Sequence, residues 1–371
     1  MNEFAPTAPG DGEPPTKPEG RGLAKLFRTT LIMIPIGVLG NIIFSLLVTD
    51  RDLLASLHEF PRGYLVLAIA LGLLPWLTNT LRLYIWARFL GHDLRFRDCF
   101  QMTLAVDLGS AISPTAVGGG FFKWGMLVQR GVTPGTAASL TTFPIIEDGI
   151  FFAIAIPAAV IATASWNLPV FGVVAEQFRR DAPVVLISAA GIALFSWLAV
   201  RWILLGGLGH RTRQRGIQFL ARTRRKLRDT WMDAREVFRL IAVRGRWWFA
   251  LSLSLTALQW SARYSVISAL VAFLGAPVQP VLFWLLQWVV FTLMAFIPTP
   301  GAAGGAEAAF YLIYSALLPD RVIGIATAGW RFFTFYFQLG LASIVFFLLN
   351  LGSGGTGMQV APAAPPEAAD S

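Results

Sequence analysis

Long apolar runs at 29–48, 64–89, 137–164, 183–205, 247–274 and 322–349 alternate with shorter polar stretches along the chain. Each is long enough to cross a hydrocarbon core of about 30 Å as a helix, so the pattern predicts six full spans. Two further apolar stretches, 99–128 and 281–318, are cut in the middle. The first carries Ser113-Pro114-Thr115-Ala116-Val117-Gly118-Gly119-Gly120 and the second Ile297-Pro298-Thr299-Pro300-Gly301-Ala302-Ala303-Gly304-Gly305. Non-helical backbone at membrane depth must face protein or water, so each stretch reads as a re-entrant helical hairpin that enters and leaves on one side. The expected fold class is therefore all-α: a polytopic membrane protein of about six spans and two hairpins.

The two breaks are related. Shifting the chain by 184 residues lays Pro114 on Pro298, Thr115 on Thr299 and Gly120 on Gly304, and downstream Lys123 on Glu307 and Glu147 on Arg331. Identity between the segments is low, so the shared pattern carries the comparison. Broken helices at matched places in two halves point to a transporter binding site. The halves are expected at about 64–205 and 247–350, and counting crossings makes the repeat inverted, with the hairpin tips meeting near the midplane. Gly118, Gly119, Gly120, Gly304 and Gly305 fit either close backbone approach to a ligand or close helix packing.

Composition and charge sharpen this reading. Hydrophobic residues make up 55% and charged residues 14% of the 371 positions, with a mean hydropathy of +0.61, far from the roughly 25% charge of soluble domains. Between 208 and 246 stand twelve Lys/Arg against three Asp/Glu, a surplus equal to the whole net charge of +9. The positive-inside rule makes this connection cytoplasmic, along with Lys17, Arg21, Lys25 and Arg28 and the segment of Arg88, Arg95 and Arg97; both termini then lie on the cytoplasmic side. Within it Ile217, Leu220, Leu227, Trp231, Ala234, Phe238 and Ile241 recur at helical spacing among arginines. That suits either a helix on the anionic cytoplasmic leaflet or a solvated basic loop that sets topology, and no nucleic-acid reading module accompanies the charge. Residues 1–22, rich in Pro, Gly and Glu without an apolar run, read as a disordered tail rather than a signal peptide, and 351–371 read likewise. The transmembrane domain is expected at 23–350.

Charges inside the apolar stretches are the candidate chemistry. Arg82 and Arg263 fall deep in their spans, where an arginine costs roughly 2.5–3.5 kcal/mol on insertion scales. A guanidinium fork suits phosphate or carboxylate oxygens; the alternative is pairing with a buried acid such as Asp107, or snorkelling. Lys123 and Glu307 open the returning arms of the hairpins. Glu307 there is a favourable first-turn acid, whereas Lys123 opposes the dipole and calls for a negative partner. Glu147 and Arg331 lie in the following spans, which suggests the pairs Glu147 with Lys123 and Arg331 with Glu307. Substrate binding is accordingly assigned to Arg82, Lys123, Glu147, Arg263, Glu307 and Arg331, and proton coupling, if present, to Asp107, Glu147, Asp148 or Glu307. A lone Cys99 and the scattered His58, His92 and His210 give no metal-ligand spacing, and no phosphate-binding G-x-x-x-x-G-K-[ST] motif occurs. No metal and no cofactor are expected.

The run from Pro114 through the glycines to Lys123, then Leu127-Val128-Gln129-Arg130-Gly131 and Glu147, and in the second half Pro298-Thr299-Pro300-Gly301 through Glu307 to Arg331, resemble the membrane region of the lysylphosphatidylglycerol synthase/flippase family. The resemblance implies an inverted-repeat lipid translocator of the bacterial cytoplasmic membrane that moves aminoacylated phosphatidylglycerol or a related lipid. Gly119 to Phe122 stand where an acidic residue often precedes the base, and Asp148 stands where relatives often carry arginine. The soluble aminoacyl-transferring domain of bifunctional members has no counterpart in these residues, so synthase activity is not implied. The sequence-level expectation is thus a translocase, not an enzyme, for a phosphate-bearing lipid, aminoacylated or isoprenoid-linked. A lipid-modifying transferase and a non-transporting accessory subunit of a lipid-synthesis complex are the alternatives. The transferase would need carboxylates at the water boundary, and the candidate acids fall inside spans or hairpins.

Overall fold

The structure, a computed structural model, describes residues 61–112, 118–167, 210–295, 297 and 300–351 and isolated positions between 176 and 201. The expected span at 29–48, nearly all of 183–205, both tails, Pro114 and Pro298 lie outside the described residues. Among the described residues the regular elements are all helical. They are α1 (Gly63–Phe89), α2 (Phe96–Ile112), α3 (Gly118–Gln129), α4 (Pro134–Thr163), α5 (His210–Arg244), α6 (Arg246–Phe273), α7 (Pro280–Met294), α8 (Gly305–Tyr314), α9 (Asp320–Arg331) and α10 (Phe337–Leu351). A π turn, Phe332–Tyr336, joins α9 to α10. Three helices are long and apolar enough to cross a membrane: Gly63–Phe89, Pro134–Thr163 and the continuous Asp320–Asn350. The fourth long helix, α6, has 28 residues and a more polar sequence.

Helix ends and interiors follow the sequence. Thr133 caps α4 by accepting from the Thr136 amide at 3.4 Å, and Pro134 takes the first-turn place where no amide is needed. Pro75 sits inside α1, where it removes a helical donor. Close by, Thr78 Oγ1 donates to the Leu74 and Pro75 carbonyls, both at 3.2 Å, and Thr80 Oγ1 to Trp76 at 2.6 Å. Thr256, Thr327, Thr334 and Ser343 bond back to their own helices in the same way. An apolar medium offers hydroxyls nothing else, and this habit lets spans carry them cheaply.

Both interrupted stretches fold as two-armed units. In the first, α2 and α3 run antiparallel, with Arg130 at the far end of α3 reaching back to Asp98 and Gln101 at the start of α2 at 3.3 and 3.1 Å. Gly119 is where the arms touch: a Cβ there would stand 2.5 Å from the Val106 carbonyl and collide with Ser110. Small residues permit such backbone approach where the hydrophobic effect does not drive association. In the second, Gln287 of α7 donates to the Tyr314 hydroxyl at 3.1 Å, which donates in turn to the Phe283 carbonyl at 2.8 Å, clasping α7 to α8. Pro300 begins a short turn at the tip, and Gly301 adopts φ 60°, a left-handed conformation that favours glycine.

α1 and α6 form the most extensive helix contact. Arg82 pairs with Gln259 and Trp86 with Ser252 across it; numbers rise on α1 as they fall on α6, so the two run antiparallel. The other contacts fall in matched sets: α1 on α2 and α6 on α7, α3 on α4 and α8 on α9, α2 on α10 and α7 on α4. The buried clusters match too. One joins α1 to α5 and another α6 to α9, while Trp76, Leu104 and Leu339 bridge them on one side and Ala159, Tyr264 and Leu285 on the other.

The basic connection is a 35-residue helix, α5, rather than a solvated loop. It docks on the start of α4, where a side chain on Gly135 would stand 2.6 Å from the Thr230 carbonyl, and it buries Val237 and Ile241 in the α1–α4 cluster. Because α5 runs directly into α6 through Gly245, α6 starts beside the base of the first two-armed unit. The second unit follows the far end of α6, so the two open at opposite ends of that helix.

Candidate functional site

Two clusters of charge lie inside the bundle. The first gathers on Arg82, which is 1% exposed. Its Nε and Nη2 donate to Glu147 Oε2 at 3.1 and 2.7 Å, its Nη1 to Gln259 at 3.0 Å, and its Nη2 also to the Pro144 carbonyl at 3.1 Å. Asp148 adds an ion pair at 3.2 Å. The other oxygen of Glu147 accepts from Trp86 at 3.2 Å. Bringing a carboxylate and a guanidinium out of water costs several kcal/mol each, an amount offset only where their hydrogen bonds are filled, as they are here. Glu147 therefore takes Arg82 as its ion-pair partner instead of Lys123. Lys123 lies near enough to feel Arg82, Glu147 and Asp148 through space, the repulsion from Arg82 ahead of the attraction of either carboxylate.

The second cluster surrounds Arg331, also 1% exposed. Its Nε donates to Glu307 Oε1 at 3.0 Å and its Nη2 to the Gly301 carbonyl. The guanidinium lies over the Phe335 ring, 4.2 Å from its centroid. Glu307 Oε2 accepts the Gly304 amide at 2.9 Å, so one carboxylate both pairs with the base and caps α8. The expected pair of Arg331 with Glu307 is thus present, and first-turn capping holds at the same time.

Beside the second cluster lies a cavity of ≈ 300 Å³. Asp107 and Ser110 reach it from α2, Arg263 and Phe291 from α6 and α7, Ile297 and Gly301 from the second tip, and Trp330, Arg331, Thr334, Phe335 and Gln338 from the last span. The end of α2 and the second tip meet here, α2 touching the turn at Pro300–Ala302. Arg263 lies over the Phe291 ring at 5.4 Å, and among the described residues its buried Nε has no hydrogen-bond partner. The Trp330 indole nitrogen, likewise buried, also lacks one. Asp107 accepts from the Trp76 indole at 2.6 Å. Orphaned buried donors are rare in folded proteins and call for an explanation; these two belong to residues of the cavity wall but are themselves closed off from its space, and what the wall offers acceptor oxygens is the pair of guanidinium groups of Arg263 and Arg331.

Of the residues singled out from sequence, Asp107, Arg263 and Arg331 line this cavity, with Glu307 just behind Arg331. Arg82, Glu147 and Asp148 form the separate cluster, in which the Arg82–Glu147 pair is well bonded while the buried Asp148 Oδ1 has an ion pair but no hydrogen bond among the described residues. Gly119, Gly120, Gly304 and Gly305 flank the breaks, and Gly118 opens α3. Sequence reasoning passed over Trp76, Trp86, Gln259, Ser252, Trp330, Thr334 and Gln338. Polar side chains within apolar runs were the available signal: Gln259 precedes Arg263 by one helical turn, and Gln338 lies two turns beyond Trp330. Among the described residues no group of three or more His, Cys, Asp or Glu side chains stands ready to hold a metal.

Long apolar helices wrapped around buried charge and a mainly apolar cavity edged by a few charged side chains define a multi-pass α-helical membrane protein. The chain belongs to the family described as the lysylphosphatidylglycerol synthase TM region, whose model matches residues 32–342. It is 23% identical over 287 residues to a UPF0104 membrane protein of Archaeoglobus fulgidus, an alignment covering 76% of this chain and 84% of that one. A relative in an archaeon extends the resemblance beyond the bacterial setting that sequence comparison implied. Membership supports a lipid-related role in the membrane.

Proposed function

We propose that this protein passes a phosphate-bearing lipid between leaflets, holding the headgroup in the cavity while the tails remain in the bilayer. The observation that carries the proposal is that Arg263 and Arg331 line one cavity, while Arg263 keeps a buried Nε with no hydrogen-bond partner among the described residues. A charged guanidinium short of a hydrogen bond inside an apolar bundle is costly, and phosphate oxygens in the cavity would offset that charge. Lys123 and the Arg82–Glu147 network serve the opposite half of the same path.

An inverted repeat with re-entrant hairpins accounts for the antiparallel α1 and α6, the matched contacts and the opposite openings of the two units. The returning arms are short: α8 has 10 residues and α3 has 12, reaching about 15–18 Å at 1.5 Å per residue; the entering arms α2 and α7, of 17 and 15 residues, reach about 23–26 Å, still short of the ~30 Å of the hydrocarbon core. Rocking of one half against the other would expose the cavity alternately. Both termini and α5 would lie on the cytoplasmic side of the cell membrane, with the outer face of α5 on anionic headgroups. That face presents Arg228, Arg235 and Arg239 beside Trp231, which is 70% exposed, a mixture suited to a lipid interface.

The test is reconstitution into liposomes with tail-labelled phospholipids of varied headgroup. Exchange between leaflets well above that of empty liposomes, and reduced at least tenfold by Arg263→Ala, is the expected result. Rates equal to empty liposomes across the panel would defeat the proposal.

A further inference from the structure

Resting on the reading of the cavity as a headgroup site, a second feature narrows what the headgroup must be. Asp107 and Arg263 line the same space and interact electrostatically, yet they form no ion pair; among the described residues the hydrogen-bond partner of Asp107 is Trp76, through Oδ2. Opposite charges that share an apolar enclosure and stop short of contact are unusual, because closing the gap would recover much of the desolvation cost of both. Here the gap is held open by rigid attachments. The indole of Trp76 fixes the carboxylate from α1, and Phe291 holds the guanidinium from α7.

Such a gap fits a dipolar ligand. The acceptor end would meet the guanidinium of Arg263, and the donor end would meet the second oxygen of Asp107, both residues of the cavity wall. We infer that Asp107 is a specificity-determining residue that reads a hydrogen-bond donor, an ammonium or a hydroxyl, on the headgroup beyond the phosphate. A bare phosphate monoester would leave the carboxylate without a partner and place its own negative charge near it. A trimethylated ammonium would keep the charge but offer no N–H.

The experiment separates these cases with lipids of identical short tails bearing ethanolamine, glycerol, choline or no substituent on the phosphate. Affinity is measured on the detergent-solubilised full chain by ligand-dependent thermal stabilisation, and leaflet exchange separately in liposomes. The expected result is binding of the ethanolamine or glycerol lipid roughly tenfold tighter than choline or the bare phosphate, the usual scale for one charge-assisted hydrogen bond. Which of the two binds tighter distinguishes ammonium from hydroxyl. Asp107→Asn should shrink the preference to less than threefold, whereas Arg263→Ala should weaken all four lipids together. Equal affinity of the wild-type chain for donor-bearing and donor-free headgroups would overturn the assignment without any variant, and so would an unchanged preference in Asp107→Asn. Discrimination in binding with no exchange in liposomes would remove translocation while leaving the role of Asp107 standing.

Discussion

Arg82 and Glu147, 65 residues apart in sequence, meet at 2.7 Å with 1% and 0% of their side chains exposed. Their pair ties α1 to α4, and Gln259 extends the tie to α6. Removing one member leaves the other charged and buried. Arg82→Ala should therefore lower stability by about 3–5 kcal/mol, read as a fall in the thermal midpoint of the solubilised protein. Arg82→Lys should recover little of it, because an ammonium cannot span Glu147, Gln259 and the Pro144 carbonyl as a planar fork does.

At Arg331 the carboxylate of Glu307 has two tasks. Glu307→Gln keeps a hydrogen-bonding oxygen for the Gly304 amide but loses the charge, so it should be milder than Glu307→Ala. In a double-mutant cycle, Glu307→Gln with Arg331→Met should cost less than the two single changes summed, by roughly 0.5–3 kcal/mol. Additive losses in the thermal midpoint would mean that the pair is not coupled.

Gly119 and Gly125 lie on the same arm and differ in their surroundings. A methyl at Gly119 meets the Val106 carbonyl at 2.5 Å, while nothing lies within 4 Å of one at Gly125. Gly119→Ala should disrupt the α2–α3 contact and reduce the yield of folded protein. Gly125→Ala should be neutral or stabilising by up to about 1 kcal/mol, the helix preference of alanine over glycine. Size-exclusion profiles of the two variants read the contrast directly.

Gly301 combines a φ of 60° with a crowded side: an added Cβ would collide with the Phe335 ring, with Cε2 at 2.9 Å. Gly301→Ala should cost at least about 1–2 kcal/mol for the backbone alone. Pairing it with Phe335→Leu should relieve the collision and leave the backbone penalty, so partial recovery of the thermal midpoint is the expected outcome.

On α5, replacing Arg228, Arg235 and Arg239 with glutamine removes about 1 kcal/mol of attraction per residue to an anionic surface. Quenching of tryptophan fluorescence by brominated anionic lipid, with Trp231→Phe to isolate the relevant indole, should fall in the triple variant and be insensitive to it in neutral bilayers. Equal quenching in both bilayers would place the face of α5 away from the headgroups.

The helices were legible in the sequence because an apolar solvent forces backbone groups to pair within each segment; run length alone then fixes α1, α4 and α6. The two-armed units were legible through Pro and Gly at matched offsets. Pairing was harder. The 184-residue relation matched Lys123 with Glu307 and Glu147 with Arg331 and so suggested pairing Lys123 with Glu147, but Arg82 reaches that carboxylate from α1 with a fork that fills more of its lone pairs. Nothing in the spacing within α1 or α4 shows that, since it depends on how the helices cross. The cavity was similarly hidden: Trp76 and Trp330 read as ordinary apolar residues, and only packing turns the Trp76 indole nitrogen toward Asp107 and sets Trp330 in the cavity wall.

The last span lines the cavity with Trp330 and Arg331, Thr334 and Phe335, and Gln338 and Leu339, a repeat of four residues. An ordinary helix closes a turn in about 3.6 residues, so such a series would wander around the cylinder by roughly 80° from first pair to last. The widened turn at Phe332–Tyr336 takes up that drift and keeps all three rungs in one column. Shortening the chain there by one residue would preserve the helix and swivel its lower half by about 100°, carrying Gln338 off the cavity wall and away from the Gly72 carbonyl it now holds at 2.9 Å.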